Sequence, residues 1–201
     1  MKIKTIEIAG IASAMNALRL PYNKETTSNI ATYNTLNDDC GFKLFDSRSA
    51  LSISPKDIRL MQTLIQRGDE HAKPMRGIVA YADIEAPIHF WVETETYVAG
   101  HQRLFSGSTM HTEGRGLSGH ALDEAIRAIP YDRNVRKIDF FSYQCLRNIV
   151  CQRHNHRKVE WHWFIEWVRS LPFAEELILI GLDEQMKVHD EYLRKYNANE
   201  I

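Results

Sequence analysis

This 201-residue sequence is poor in cysteine and carries no excess charge of either sign. Its three cysteines, Cys40, Cys145 and Cys151, form no CxxC pair, and this odd count indicates reduced thiols rather than a disulfide framework or a zinc ribbon. The 25 basic and 26 acidic residues leave a net charge of −1, which excludes a highly basic nucleic-acid coat. No apolar run approaches the ~20 residues of a bilayer span, and the N-terminus lacks a signal-peptide layout, so we expect a cytoplasmic protein.

The sequence does have the composition of a globular domain, with 44% hydrophobic and 25% charged residues. A chain of this length can bury a sizeable core without disulfides or metals, and it predicts a single domain over 1–201. No internal repeat, low-complexity segment or linker divides it. The expected fold class is α+β, helix-rich with a small sheet.

The hydrophobic pattern predicts two strands, over 2–9 and 77–85, and a series of helices. The clearest helix start is Ser54 followed by Pro55, and Gly68 ends that helix. The other helices are expected over 13–20, 86–100, 119–129, 139–153, 159–171, 173–181 and 183–196. Two segments are predicted as loops: the polar stretch 23–52, which we expect to be flexible, and the Gly- and Ser-rich stretch 104–119.

The densest polar stretch runs from Arg147 to Arg157, at the junction of two predicted helices. Together with Arg153, these arginines could clamp a phosphate, because guanidinium groups match phosphate oxygens bidentately. Arg153 could instead cap its helix and extend its charge to solvent. His154 and His156 do not share a helical face, and no HExxH or CxxC motif accompanies them, so the sequence indicates no metal site.

The segment after Arg103 groups Ser106, Ser108 and His111. Without a GxSxG motif there is no nucleophilic serine, so these residues either hydrogen-bond a bound anion or ring or form a plain surface loop. His71 and His111 are the histidines best placed for proton transfer, although a lone histidine in such a position is commonly a surface residue.

Several segments together resemble the flavin-dependent thymidylate synthases, from about residue 15 to 170. The most specific is FFSYQCLRNIVCQRHNHRKVEW, in which Leu146, Asn148, Arg153 and Trp161 match the closing helix pair of the family. The stretches NALRLPYNKE, LMQTLIQRGDEHAKPM, IVAYADIEAPIHFW and SGST are similar to further segments of the family, in the same order.

The sequence departs from this family where the family carries charge. The Arg-His-Arg flavin signature falls on Thr96, Tyr97 and Val98, and a nucleotide-contacting arginine of the closing helix falls on Gln144. Each lost charge-assisted contact removes up to ~1.5–3 kcal/mol of binding free energy.

The resemblance implies transfer of a one-carbon group to C5 of a deoxyuridylate-like nucleotide, with FAD, folate and NADPH as cofactors. The implied proton-transfer groups are His71 and His111. The implied nucleotide ligands are Arg153, Arg147, Arg157, Ser106, Ser108 and Gln144. The implied cofactor ligands are Arg103 and His101, as substitute charges, and Asn148.

Partners follow from the same resemblance. The family forms homotetramers with active sites between subunits, so a nucleotide ligand and self-association are expected. The alternative is a non-catalytic, homo-oligomeric relative that binds a nucleotide or a protein partner. Binding of single-stranded nucleic acid at the basic junction is disfavoured by the balanced charge.

Overall fold

The computed structural model describes residues 1–22 and 51–200, together with the backbone of 29–30. The strands are β1 (Lys2–Ala9), β2 (Asn29–Ile30), β3 (Leu51–Ser52), β4 (Val79–Pro87), β5 (His101–Ser106) and β6 (Asn134–Ser142). Four of them form an antiparallel sheet in the order β1-β4-β6-β5, while β2 pairs with β3.

The helices are α1 (Ile11–Arg19), α2 (Pro55–Gln66), α3 (Ile88–Thr94), α4 (Gly119–Arg127), α5 (Tyr143–Arg153), α6 (Val159–Arg169) and α7 (Asp183–Asn197). Short 3₁₀ turns cover Leu20–Tyr22, Lys73–Arg76 and Thr109–His111, and a π-helical turn covers Ala174–Ile178. The predicted helix-rich fold with a small sheet is confirmed. Among the described helices, none has the length and apolarity needed to cross a bilayer.

One face of the sheet packs against helices. Ala80, Ala82 and Ile84 of β4 are fully buried because alternate residues of a strand point to the same side. On β6 the ring of Phe141 lies on this face, 5.3 Å from the ring of Phe164 on α6. This face therefore forms the central layer of the core.

Local chemistry sets the helix starts. The Ser54 hydroxyl accepts the backbone N–H of Asp57 at 3.2 Å, which confirms the predicted start of α2 at Pro55. The Ser142 hydroxyl accepts the N–H of Cys145 at 3.1 Å and caps α5 in the same way.

The helix predicted over 139–153 is half right, because residues 139–142 belong to β6. These residues alternate in burial, and the Ser142 cap begins the helix only at Tyr143. The helix predicted over 173–181 is replaced by the turn Ala174–Ile178, which follows Phe173 in a left-handed conformation with φ 56°.

The loop predicted over 104–119 begins inside β5, and the helix predicted over 86–100 is limited to α3. Since β5 is an edge strand, Leu104 and Phe105 are exposed and the apolar alternation that marks a strand is missing. Most of the loop predicted over 23–52 lies outside the described residues.

Candidate functional site

A groove of about 610 Å³ opens between α1, the end of α2 and the turn Lys73–Arg76. We call it the α1–α2 groove. Its volume lies within the ~300–1,000 Å³ range of small-molecule sites. Its apolar wall is formed by Ala14, Leu18, Pro21, Leu64 and Pro74.

The other side of the groove carries two cations, Arg67 and Lys73, beside one carboxylate, that of Glu70. Arg67 and Lys73 line it, and neither side chain makes a hydrogen bond or ion pair with any residue that the structure describes. The predicted proton-transfer residue His71 also lies here, half exposed, with its Nε2 3.8 Å from Oε1 of Glu70. An apolar wall facing free cations suits a flat ring that carries an anionic group.

Backbone geometry builds this groove. Gly68 has φ 114°, a left-handed conformation that ends α2, and its carbonyl accepts the N–H groups of His71 and Ala72 at 3.0 and 3.2 Å. At the start of α1, a Cβ on Gly10 would lie 1.8 Å from the carbonyl oxygen of Gly77. Only glycine therefore allows α1 to approach the turn so closely.

A second polar group surrounds Glu93 of α3, and we call it the Glu93 cluster. Lys158 Nζ and Trp161 Nε1 donate to its carboxylate at 2.5 and 2.6 Å, and Arg153 and His156 each approach it to 3.4 Å. Burial by itself would raise the pKa of Glu93, but the hydrogen bonds from Lys158 and Trp161 and the nearby positive charges outweigh it and lower the pKa. The basic junction is thus neutralised by a carboxylate of its own chain.

Arg153 is held on three sides. Its Nε donates to the Tyr97 hydroxyl at 2.7 Å, its Cζ lies 4.6 Å from the Trp161 ring centroid, and its Nη1 faces Glu93. This arrangement replaces the expected solvent-exposed helix cap. Phosphate binding by Arg153 stays a prediction, and the guanidinium already has partners within the chain.

The other two arginines of the junction point elsewhere. Arg147 donates to the carbonyl oxygens of Ile178 and Ile180 at 2.6 and 2.8 Å, while Arg157 is exposed and its carbonyl accepts the hydroxyl of Tyr192. Within one chain, the guanidinium groups of Arg147 and Arg153 therefore have separate partners, and a phosphate clamp shared with Arg157 stays a prediction.

Gln144 and Asn148 lie beside each other on α5. Gln144 is buried, and its Nε2 donates to Asp69 Oδ1 at 3.0 Å and lies 3.2 Å from Asn148 Oδ1. Because Asp69 begins the turn that carries Glu70 and His71, this contact ties α5 to the α1–α2 groove. The Gln144 Oε1 atom is buried without a hydrogen-bond partner in the described part of the chain.

Three predicted site residues do not line the α1–α2 groove: Ser106, Ser108 and His111. Ser106 ends β5 and donates to the carbonyl of Gly107 at 3.1 Å. The Ser108 carbonyl accepts the hydroxyl of Thr112, and His111 is exposed in the turn Thr109–His111.

His101 and Arg103 are engaged with carboxylates of the chain. The Nε2 of His101 lies 2.7 Å from Asp139, while Arg103 donates to Glu95 and its Nε lies 3.4 Å from Asp139. Asp139 is fully buried, so these contacts compensate a charge inside the core.

The residues at the position of the flavin signature offer no cation. The Thr96 hydroxyl donates to the Glu93 carbonyl, Tyr97 is buried against Trp161, and Val98 is exposed. These three residues do not fit the phosphates of FAD.

One group of potential metal ligands occurs among the described residues, formed by Glu166, His189 and Asp190. Arg169 donates to Glu166 at 2.9 Å and to Asp190 at 2.8 Å. The arrangement is therefore an ion-pair network centred on a guanidinium rather than an open metal site.

Sequence reasoning missed Arg67, Lys73 and Glu93. A partial signal for the first two is that they flank the Gly68 helix stop, where side chains of the next turn converge. Glu93 carries no local signal, since its partners come from residues about 60 positions later in the chain.

No family model and no curated protein sequence matches this chain. Solved structures do match it: two crystal structures of thymidylate synthase X, a flavin-dependent thymidylate synthase from Helicobacter pylori, both with FAD and dUMP. They have TM-scores of 0.60 and 0.61 and are 13% and 12% identical to this chain. Both alignments cover 89% of this chain, and they cover 97% and 98% of the respective neighbours. At this identity, the similarity establishes a shared fold.

Proposed function

We propose that this chain binds a pyrimidine nucleotide of the deoxyuridylate type in the α1–α2 groove. The observation that carries the proposal is the groove itself, in which an apolar wall faces Arg67 and Lys73, whose side chains have no ionic partner among the described residues. The pyrimidine ring packs on the apolar wall, and the phosphate accepts hydrogen bonds from the two cations. The fold shared with proteins crystallised with dUMP supports a nucleotide as the ligand.

The reaction proposed for this nucleotide is transfer of a one-carbon group to C5, with His71 as the proton-transfer residue. His71 lies in the groove, and an imidazole can both accept and donate a proton. The reaction replaces the C5–H bond, so a proton must leave C5. FAD is present in both structural neighbours, but Thr96, Tyr97 and Val98 of this chain do not fit its phosphates.

The second candidate function is nucleotide binding without turnover, in a homo-oligomer. It is favoured by Tyr97, which stands where the family has a flavin-binding histidine and is instead buried as the hydrogen-bond partner of Arg153. Both candidate functions use the same nucleotide site. They differ in whether the bound nucleotide loses its C5 proton, which happens only if the chain catalyses the transfer.

The binding site is tested by calorimetric titration of deoxyuridylate into wild type and Arg67→Ala. We expect Arg67→Ala to weaken binding by about tenfold or more, the cost of one charge-assisted hydrogen bond. Arg59→Ala is the matched control, because Arg59 is exposed on the same helix but does not line the groove. If Arg67→Ala binds deoxyuridylate with unchanged affinity, or if Arg153→Ala alone abolishes binding, the phosphate does not bind in the α1–α2 groove and the proposal is wrong.

Release of tritium from C5 of labelled deoxyuridylate distinguishes the two candidates. The assay supplies a reduced flavin and a methylene-folate donor. Release that His71→Asn abolishes, while nucleotide binding persists, supports one-carbon transfer. Tight binding with no release supports the non-catalytic role.

A further inference from the structure

A hollow of about 240 Å³ lies between α3 and the end of the β5–β6 ladder. We call it the Lys137 hollow. Its volume is below the range of drug-sized ligand sites, so it suits a small molecule. Its lining includes Trp91, Val92, Glu95, Ser106, Thr109 and Lys137.

The register between β5 and β6 places Lys137 in the lining of this hollow. Lys137 pairs directly with Ser106 across the ladder, and directly opposed residues share a face of the sheet. Its Nζ lies 4.6 Å from the centroid of the Trp91 ring, so the amine sits over an aromatic face instead of in open solvent.

The Lys137 amine has no hydrogen bond or ion pair with any residue in the described ranges. The two carboxylates near it, Glu95 and Asp139, are already engaged by Arg103 and His101. Among the described residues, the amine in this hollow therefore has no counter-ion of its own.

Burial makes the largest contribution to lowering the pKa of Lys137, and the neighbouring positive charge of Arg103 lowers it further. The carboxylates of Glu95 and Asp139 act in the opposite direction, and the resulting pKa is about 8. At pH 8, the Lys137 amine is then uncharged in about half of the molecules, whereas an ordinary lysine is uncharged in less than ~1% of them. An uncharged lysine amine is a nucleophile toward carbonyl carbon.

We propose that Lys137 forms an imine with a small, uncharged aldehyde bound in this hollow. The amine nitrogen attacks the carbonyl carbon, and the carbinolamine then loses water, so that the aldehyde oxygen leaves with the two protons of the amine. A C=N bond replaces the C=O bond, and nothing is oxidised or reduced. The apolar faces of Trp91 and Val92 favour an uncharged ligand. This site is separate from the nucleotide groove and does not depend on it.

Reductive trapping tests the proposal. Wild-type protein is treated at pH 8 with propionaldehyde and cyanoborohydride for times that give less than one adduct per chain, and the alkylated lysines are located by peptide mass spectrometry. The internal control is Lys187, which is exposed and whose pairing with Glu184 raises its pKa. We expect Lys137 to react about tenfold faster, since its larger free-amine fraction is partly offset by weaker nucleophilicity. Equal labelling of Lys137 and Lys187 would overturn the proposal.

The pH profile provides a second readout that requires no variant. Labelling of Lys137 should level off above about pH 8, whereas labelling of Lys187 should keep rising to pH 10. A profile for Lys137 that continues to rise with that of Lys187 would also contradict the proposal. Lys137→Arg keeps the positive charge and should remove the adduct at this position while leaving nucleotide binding unchanged.

Discussion

At the scale of single residues, Glu93 supplies the negative charge for the basic side chains between α5 and α6. Glu93→Gln keeps the shape of the side chain but leaves Lys158 and Arg153 without an ionic partner in a partly buried place. We expect the free energy of unfolding to fall by about 1–3 kcal/mol, measured by urea denaturation at pH 7.

Glu85→Gln is the control for this prediction. Glu85 lies 3.4 Å from the exposed ammonium of Lys2, and a surface pair of this kind contributes less than about 1 kcal/mol. If both variants have the same small effect, the Glu93 cluster does not stabilise the junction.

The sequence identifies Arg153 as notable but not the reason for its position. Its spacing on α5 and its place in the family-like helix pair were visible locally. Its partners, Tyr97 and Glu93, come from about 60 residues earlier and meet it only through packing of α3 against α5 and α6. A pattern within one segment contains no information about such a pairing.

At the scale of elements, the hydroxyl of Ser142 fixes where β6 stops and α5 begins. Ser142→Ala removes the acceptor of the Cys145 N–H, and we expect it to cost about 1 kcal/mol in the free energy of unfolding. Ser118→Ala is a matched control, because Ser118 precedes α4 without a side-chain cap bond. Equal effects of the two substitutions would show that the cap contributes nothing.

We expect the contact between α6 and α7 to be sensitive to acid. His162 must keep a proton on Nε2 for the His156 carbonyl at 2.8 Å, so its Nδ1 accepts from Nδ1 of His189 at 2.9 Å, and His189 Nε2 faces Glu166. A second proton on His162 would oppose the Nδ1–H of His189 and disfavour this arrangement. Burial is the largest cause of the low pKa of His162, which is about 4. The hydrogen bond to the His156 carbonyl acts in the opposite direction and raises this pKa.

This shift predicts a loss of stability on acidification. Because the native pKa of His162 lies below the ~6.5 of an unfolded histidine, the unfolded chain takes up the proton first as the pH falls. The contribution is complete above about pH 6.5 and falls by roughly 2–3 kcal/mol toward pH 4. Urea denaturation across this range measures it, and His162→Phe should give a flatter slope between pH 6.5 and 5. An unchanged slope in that variant would assign the acid sensitivity to other groups.

Elements with local signals were predictable, and those without were not. Ser54, Pro55 and Gly68 mark both ends of α2 through capping and backbone chemistry that depends on neighbours in the chain. In the described part of the chain, the edge strand β5 pairs with β6 alone and exposes Leu104 and Phe105, so burial did not impose a readable pattern.

At the scale of the whole molecule, the fold class and the resemblance to the flavin-dependent thymidylate synthases could be predicted, and the shared fold is established by the structural neighbours. The α1–α2 groove could not be predicted, because it joins α1 to a turn about 50 residues later. Of its residues only His71 was a candidate from sequence. Arg67 and Lys73 line a groove because Gly10 allows α1 to lie close to the turn Lys73–Arg76, and the sequence near these two cations does not show that contact.

A crystal structure of the protein grown with deoxyuridylate tests the nucleotide-binding proposal most directly. We predict density for the pyrimidine against Leu18 and Pro74 and for the phosphate between Arg67 and Lys73, with Glu93 still paired to Lys158. Nucleotide density beside Arg153 with Glu93 displaced, or a groove without nucleotide at saturating concentration, would contradict the account.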